Sequence, residues 1–115
     1  MESEEVKEEL DAERAREVIA SDGGQALDLR ELDEWGEGHI AGAVRVDEGD
    51  VEGALESLAQ DQPVVVVCSD GKRSAEVAAD LRERGFTASI LKGGMKSWTG
   101  AGLPTQPREA EEFSP

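Results

Sequence analysis

The chain has 115 residues, a net charge of −15 at neutral pH and a single cysteine. This length suits one domain with a modest core, and one cysteine excludes an intramolecular disulfide. So large an acidic excess disfavours binding to nucleic acids or anionic membranes, which attract basic surfaces. Residues 1–5 lack the features of a signal peptide and no apolar run could span a bilayer, so we expect a cytoplasmic protein.

The charge is distributed unevenly along the chain. Residues 1–61 carry 20 acidic and 5 basic side chains, whereas residues 62–115 carry 7 of each. With only 4 lysines, the composition is typical of proteins adapted to a high-salt cytoplasm, where ions screen self-repulsion. The alternative is an ordinary acidic protein with a charged, partly disordered amino-terminal end. In both cases an anionic substrate would meet weaker repulsion in the second half of the chain.

Strand and helix patterns alternate along the sequence. A flexible acidic segment at 1–5 precedes residues 6–10, which form an edge strand or the start of a helix, and Asp11 is a candidate N-cap. The elements expected after Asp11 are a helix at 12–20, strands at 25–29, 43–46, 64–67 and 87–91, helical segments at 32–35, 50–59 and 74–84, and a short helix after Gly94. This alternation predicts an α/β fold with a parallel sheet and helices on both faces. We interpret residues 105–115 as a tail.

Cys68 lies where such a fold would hold a reactive thiol. Four valines, Val64 to Val67, lead into it and predict a buried parallel strand, and a helix is predicted from Ser74. A side chain between the carboxyl end of a strand and a helix amino terminus occupies the usual ligand position of an open α/β sheet. The helix dipole would stabilise a thiolate there. The alternative is a buried structural cysteine.

The loop after Cys68 carries groups that suit an anion. A loop this short can direct several N–H groups inward, and Gly71 can adopt the positive φ that the curve needs. Arg73 offers a forked cation, Lys72 adds a mobile positive charge, and Ser74 can cap the next helix. We therefore predict a substrate-binding loop formed by Ser69, Asp70, Gly71, Lys72, Arg73 and Ser74.

Four motifs together resemble the rhodanese family. They occur in the family's order over residues 6–104. The first motif is Asp28-Leu29-Arg30, and the second is Glu34-Trp35 followed by Gly-His-Ile-Ala-Gly-Ala at 38–43. The third is the Cys68–Ser74 loop, and the fourth is Gly93-Gly94-Met95 with Trp98. The resemblance implies a rhodanese-like domain with a central sheet of about five parallel strands. It also implies a sulfurtransferase that moves sulfane sulfur from thiosulfate or a similar donor to a thiol or cyanide acceptor. The sulfur would be carried as a persulfide on Cys68, without a cofactor.

Three polar residues outside the loop are candidate supporting residues. We expect Asp28 and Arg30 to brace loops at the carboxyl edge of the sheet, with an i,i+4 pair between Arg30 and Glu34 as the alternative. His39 is the only histidine. In the family the matching histidine belongs to a structural segment, so we favour that role over a general base. One histidine and one cysteine do not make a zinc site, and we expect no metal.

Two other functions remain open from the sequence. Related phosphatases and arsenate reductases have a cysteine loop that is one residue longer, whereas four residues separate Cys68 from Arg73 here, which favours a smaller sulfur cargo. Some rhodanese domains are non-catalytic binding or regulatory modules, and these commonly lack the cysteine that this chain retains.

The expected partners follow from the lone thiol. Because the chain has no second cysteine to resolve a persulfide, an external acceptor would have to remove the sulfur. That acceptor could be a small thiol, a thioredoxin-like protein or a sulfur-carrier protein. The oligomeric state is open.

Overall fold

A computed structural model describes residues 9–46, 50–69 and 73–107. The strands in this part of the chain are β1 (Glu9–Leu10), β2 (Gln25–Asp28), β3 (Val44–Arg45), β4 (Val64–Val67) and β5 (Ala88–Leu91). The helices are α1 (Ala12–Ala20), α2 (Leu32–Glu37), α3 (Val51–Ser57), α4 (Ser74–Glu83) and α5 (Gly94–Gly100). The strands form a five-stranded sheet in the order β1-β5-β4-β2-β3. Every pairing is parallel, which confirms the predicted fold class.

The predicted elements are present, with shifted ends for most of them. Strand β4 has the predicted bounds, and Asp11 caps α1 by accepting a hydrogen bond from the Arg14 N–H at 2.8 Å. Helix α2 is longer than the single turn expected at 32–35, whereas α3 is shorter than the predicted 50–59. Of the ambiguous segment 6–10, Glu9–Leu10 is an edge strand, and residues 6–8 lie outside the described part.

The alternation of side chains along β4 divides the core into two halves. Val64 and Val66 belong to the cluster that includes the apolar side of α4, and Val65 and Val67 belong to the cluster formed with α1 and α5. All four valines are completely buried, as expected for a central parallel strand that is covered on both faces. Cys68 continues the first set, so its side chain lies in the α4 cluster.

The register of the sheet determines which segments meet at its carboxyl edge. Strand β2 pairs with β4 so that Asp28 lies opposite Val67. The segment that starts at Leu29 and the segment that starts at Cys68 therefore leave the sheet side by side. None of the helices in the described ranges combines the length and apolar character needed to cross a membrane.

Two leucines test this description of the core. Leu81 of α4 is completely buried, whereas Leu32 at the start of α2 is 43% exposed. We expect Leu81→Ala to lower the free energy of unfolding by about 3 kcal/mol, because it leaves a cavity. Leu32→Ala is the matched control and should change it by less than about 0.5 kcal/mol. Urea denaturation measures both values, and equal losses would contradict the assigned core.

Candidate active site

The backbone of Cys68 and Ser69 is fixed by the start of α5. The N–H of Met95 donates to the carbonyl oxygen of Cys68 at 2.9 Å, and the N–H of Lys96 donates to that of Ser69 at 3.4 Å. Gly94 makes this approach possible: its φ is +63°, and a Cβ atom there would collide with the backbone of both residues. Gly94 is therefore part of the structure that holds the cysteine.

The sulfur of Cys68 is buried and has a polar neighbour. Its side chain is 0% exposed, and the hydroxyl of Ser74 donates to Sγ at 3.1 Å. The expectation that Ser74 caps α4 is wrong, because Arg73 occupies the N-cap position and Ser74 is the first residue of the helix. The hydroxyl instead points at the sulfur, where an O–H donor stabilises negative charge.

The structure describes only part of the predicted loop. Ser69, Arg73 and Ser74 are described, whereas the predicted sites at Asp70, Gly71 and Lys72 lie outside the described residues. Arg73 is half-buried and lines a cleft of about 500 Å³ together with Arg45 and the start of α2. Its guanidinium brings positive charge to the side of the loop where α4 begins.

A second cleft includes Ser69, the first residue of the loop. It has a volume of about 320 Å³, and its lining includes Ser69 and four charged residues, Arg30, Glu34, Glu37 and Lys96. Within it, the Ser69 hydroxyl donates to the carboxylate of Glu34, at 3.1 Å to Oε1 and 3.3 Å to Oε2. From the sequence, Glu34 is expected only as part of a motif or as the i,i+4 partner of Arg30. Its place six residues after the end of β2, near the carboxyl edge, is the signal that could have drawn attention to it.

Asp28 and Arg30 form a buried ion pair at the end of β2. Arg30 Nη2 lies 3.0 Å from Asp28 Oδ2, and side-chain exposure is 8% and 1% respectively. The remaining donors of Arg30 reach the carbonyl oxygens of Gly38 at 2.8 Å and Glu34 at 3.3 Å. Arg30 thus holds the backbone of α2 and does not pair with the Glu34 carboxylate. That carboxylate bonds Ser69, so the alternative i,i+4 pair is not formed.

His39 lies in the packing next to this ion pair. Its ring is completely buried, stacks on Trp35 with the ring centroids 3.6 Å apart, and hydrogen-bonds the Trp35 carbonyl oxygen through Nδ1 at 2.9 Å. Its backbone exchanges two hydrogen bonds with Gln106. These contacts connect α2 to the segment after α5. In the described ranges, no group of three or more His, Cys, Asp or Glu side chains is arranged to hold a metal ion.

The fold and this site define a single α/β domain with a cysteine at the carboxyl edge of its central strand. Comparison with known proteins agrees, since residues 3–101 match the family described as the rhodanese-like domain. "Putative sulfurtransferase YtwF" of Bacillus subtilis is 35% identical over 100 residues, which cover 87% of this chain and 97% of the relative. "Thiosulfate sulfurtransferase GlpE" of Pseudomonas aeruginosa is 33% identical over 87 residues, which cover 75% of this chain and 78% of the relative.

A solved structure gives the same result. The crystal structure of a rhodanese-related protein from Thermoplasma volcanium has a TM-score of 0.76 at 28% identity, covering 85% of this chain and 96% of that one. The chain therefore belongs to the rhodanese-like domain family. The resemblance drawn from the four sequence motifs is confirmed, and so is the five-stranded rhodanese-like fold.

Gly94 provides a test of how α5 holds the cysteine. Gly94 and Gly102 both have positive φ, at +63° and +77°, but a Cβ at Gly102 would meet nothing within 4 Å. We expect Gly102→Ala to cost about 1–2 kcal/mol of unfolding free energy from backbone strain alone. Gly94→Ala should cost more, because it also forces α5 away from Cys68 and Ser69. Equal losses in urea denaturation would contradict the close approach.

Proposed function

We propose that the chain is a sulfurtransferase that carries sulfane sulfur on Cys68. The observation that carries the proposal is the Ser74 hydroxyl, which donates at 3.1 Å to Sγ of Cys68, a member of the apolar α4 cluster. A structural cysteine is a small apolar side chain that needs no such donor. A sulfur that becomes an anion needs one, and the start of a ten-residue helix adds further positive potential. The sulfurtransferase names of the relatives support this assignment.

The first half-reaction would load the cysteine. The Cys68 thiolate attacks the outer sulfur of thiosulfate, a new S–S bond forms, and the bond between the outer sulfur and the sulfonate breaks. Sulfite leaves with the electron pair, and the persulfide remains as an anion. The Ser74 hydroxyl, which donates to Sγ in the structure, would keep this hydrogen bond to the inner sulfur during the transfer. Arg73 would attract the dianion, and Lys72, outside the described residues, would add to this field.

The second half-reaction would return the cysteine to its original state. A cyanide ion or an acceptor thiolate attacks the outer sulfur, takes it as thiocyanate or as a new persulfide, and releases the Cys68 thiolate. This scheme needs no cofactor, and it predicts ping-pong kinetics because donor and acceptor react in separate steps.

The donor, acceptor and setting are further parts of the proposal. With a single cysteine in the chain, we propose that a small thiol, a thioredoxin-like protein or a sulfur-carrier protein removes the sulfur. A single cysteine, which cannot form an intramolecular disulfide, and the acidic composition support a cytoplasmic protein that works at high salt. We further propose residues 6–104 as the core of the catalytic domain, with an acidic segment at 1–5 before it and a tail at 105–115 after it. The first residues of that tail belong with the domain, because Gln106 pairs with His39. Asp28, Arg30 and His39 would support the site.

The burial of Cys68 favours a second candidate, a non-catalytic binding or regulatory module. A side chain that is 0% exposed offers no atom to a donor in this arrangement. In such a module the cysteine would be a packing residue of the α4 cluster. The two candidates differ in whether a donor reaches the sulfur at all, which a mass measurement decides.

Incubation with thiosulfate tests the function directly. We expect the intact mass to rise by one sulfur atom and to return to its original value when cyanide is added. Cys68→Ser should abolish both the mass change and thiocyanate formation while the variant stays folded. A phosphate-ester assay run in parallel should show no hydrolysis. Transfer by Cys68→Ser would overturn the assignment, and an unchanged mass in the native protein would favour the module.

Ser74 tests the observation on which the proposal rests. Ser74→Ala removes the donor to Sγ, and we expect the rate of persulfide formation to fall about tenfold because a stabilising hydrogen bond to the anion is lost. Stopped samples analysed by intact mass give this rate. A folded Ser74→Ala protein that loads at the original rate would show that the hydroxyl has no part in the reaction.

A further inference from the structure

One hydrogen bond connects α2 to the residue next to the cysteine. The carboxylate of Glu34 accepts from the hydroxyl of Ser69, with both carboxylate oxygens within 3.3 Å. The two residues are 35 positions apart in the sequence. They meet because β2 and β4 are neighbours in the sheet and their following segments leave the same edge. The bond therefore depends on the fold and cannot form within a local segment.

Glu34 is itself held by the buried ion pair. Its carbonyl oxygen accepts from Arg30 Nη1 at 3.3 Å, and Arg30 is fixed by Asp28 at 3.0 Å. A continuous series of contacts thus leads from the buried end of β2 to an exposed carboxylate, and from there to Ser69. The ion pair is enclosed, so the backbone that carries Glu34 has little freedom to move.

The opposite side of Ser69 is fixed by α5. The Lys96 N–H donates to its carbonyl oxygen at 3.4 Å, and the Met95 N–H donates to that of Cys68 at 2.9 Å. The backbone of this dipeptide is thus held by α5 and the Ser69 side chain by α2. A reacting group that is held from two sides before the reaction begins needs less reorganisation to reach its productive geometry.

We propose that Glu34 is a positioning residue for sulfur transfer. It holds Ser69 in place and thereby fixes the start of the loop that follows Cys68. This proposal rests on the proposed function, because it assigns a role in the same reaction. Glu34 acts through Ser69 and takes no part in the bond changes at the sulfur. Its side chain is exposed, so substitutions there leave the core intact.

A double-mutant cycle tests the proposal. The variants are Glu34→Ala, Ser69→Ala and the two combined, and the measurement is the rate of persulfide formation from thiosulfate by intact mass. We expect each single substitution to slow loading about tenfold, since each removes the same hydrogen bond to a charged group. The double variant should be no slower than either single one. Glu34→Gln should restore part of the rate, because the amide oxygen still accepts from Ser69 but carries no charge.

Glu37→Ala is the matched control. Glu37 lines the same cleft, and no described hydrogen bond joins it to Ser69. The Glu37→Ala variant therefore measures the effect of removing one negative charge from the cleft. We expect its rate of persulfide formation to stay within about twofold of that of the unchanged protein. If the unchanged protein loads sulfur, either of two results would overturn the positioning role. One is that the losses of loading rate in the cycle are additive, and the other is that Glu34→Ala and Glu37→Ala have equal effects. Failure of the unchanged protein to load would instead overturn the proposed function, and this inference with it.

Discussion

The close approach of α5 to the backbone of Cys68 and Ser69 is the constraint on which the site depends. A helix amino terminus has N–H groups without partners in its own first turn. At α5, two of these groups are satisfied by the carbonyl oxygens of the residues that follow β4. A residue with a side chain could not occupy position 94 without moving α5 away, because its Cβ would overlap that backbone. The end of the central strand and the start of the last helix therefore form one unit.

The location of the thiol follows from the same strand. The β4 valines alternate between the two halves of the core, so the next residue in the sequence must face α4. This places the sulfur beneath the helix that supplies the Ser74 hydroxyl. Cys68 lies in the apolar α4 cluster, which favours a structural cysteine. The Ser74 hydroxyl is directed at its sulfur, which favours a reactive one. Access of a donor to the sulfur is thus the property that separates a catalyst from a module.

Much of the fold could be predicted from the sequence because its signals are local. The run from Val64 to Val67 defines β4 to the residue, and Asp11 identifies the start of α1 through a bond to a residue three positions away. The N-cap role of Ser74 was predicted wrongly for a physical reason. A serine near a helix start has two competing uses for its hydroxyl, and only the packing of α4 against β4 decides between them. The bond between Glu34 and Ser69 was missed because it arises from strand order.

The backbone pairing between His39 and Gln106 has a consequence for how the domain is delimited. Two hydrogen bonds join these residues, and the indole N–H of Trp98 donates to the carbonyl oxygen of Pro104 at 2.9 Å. A shortened protein that ended at residue 104 would keep every helix and strand of the sheet core. It would nevertheless leave the amide and carbonyl groups of His39 without these partners, next to the Gly38 carbonyl that Arg30 holds. The short segment after α5 therefore stabilises the side of the cleft that α2 forms.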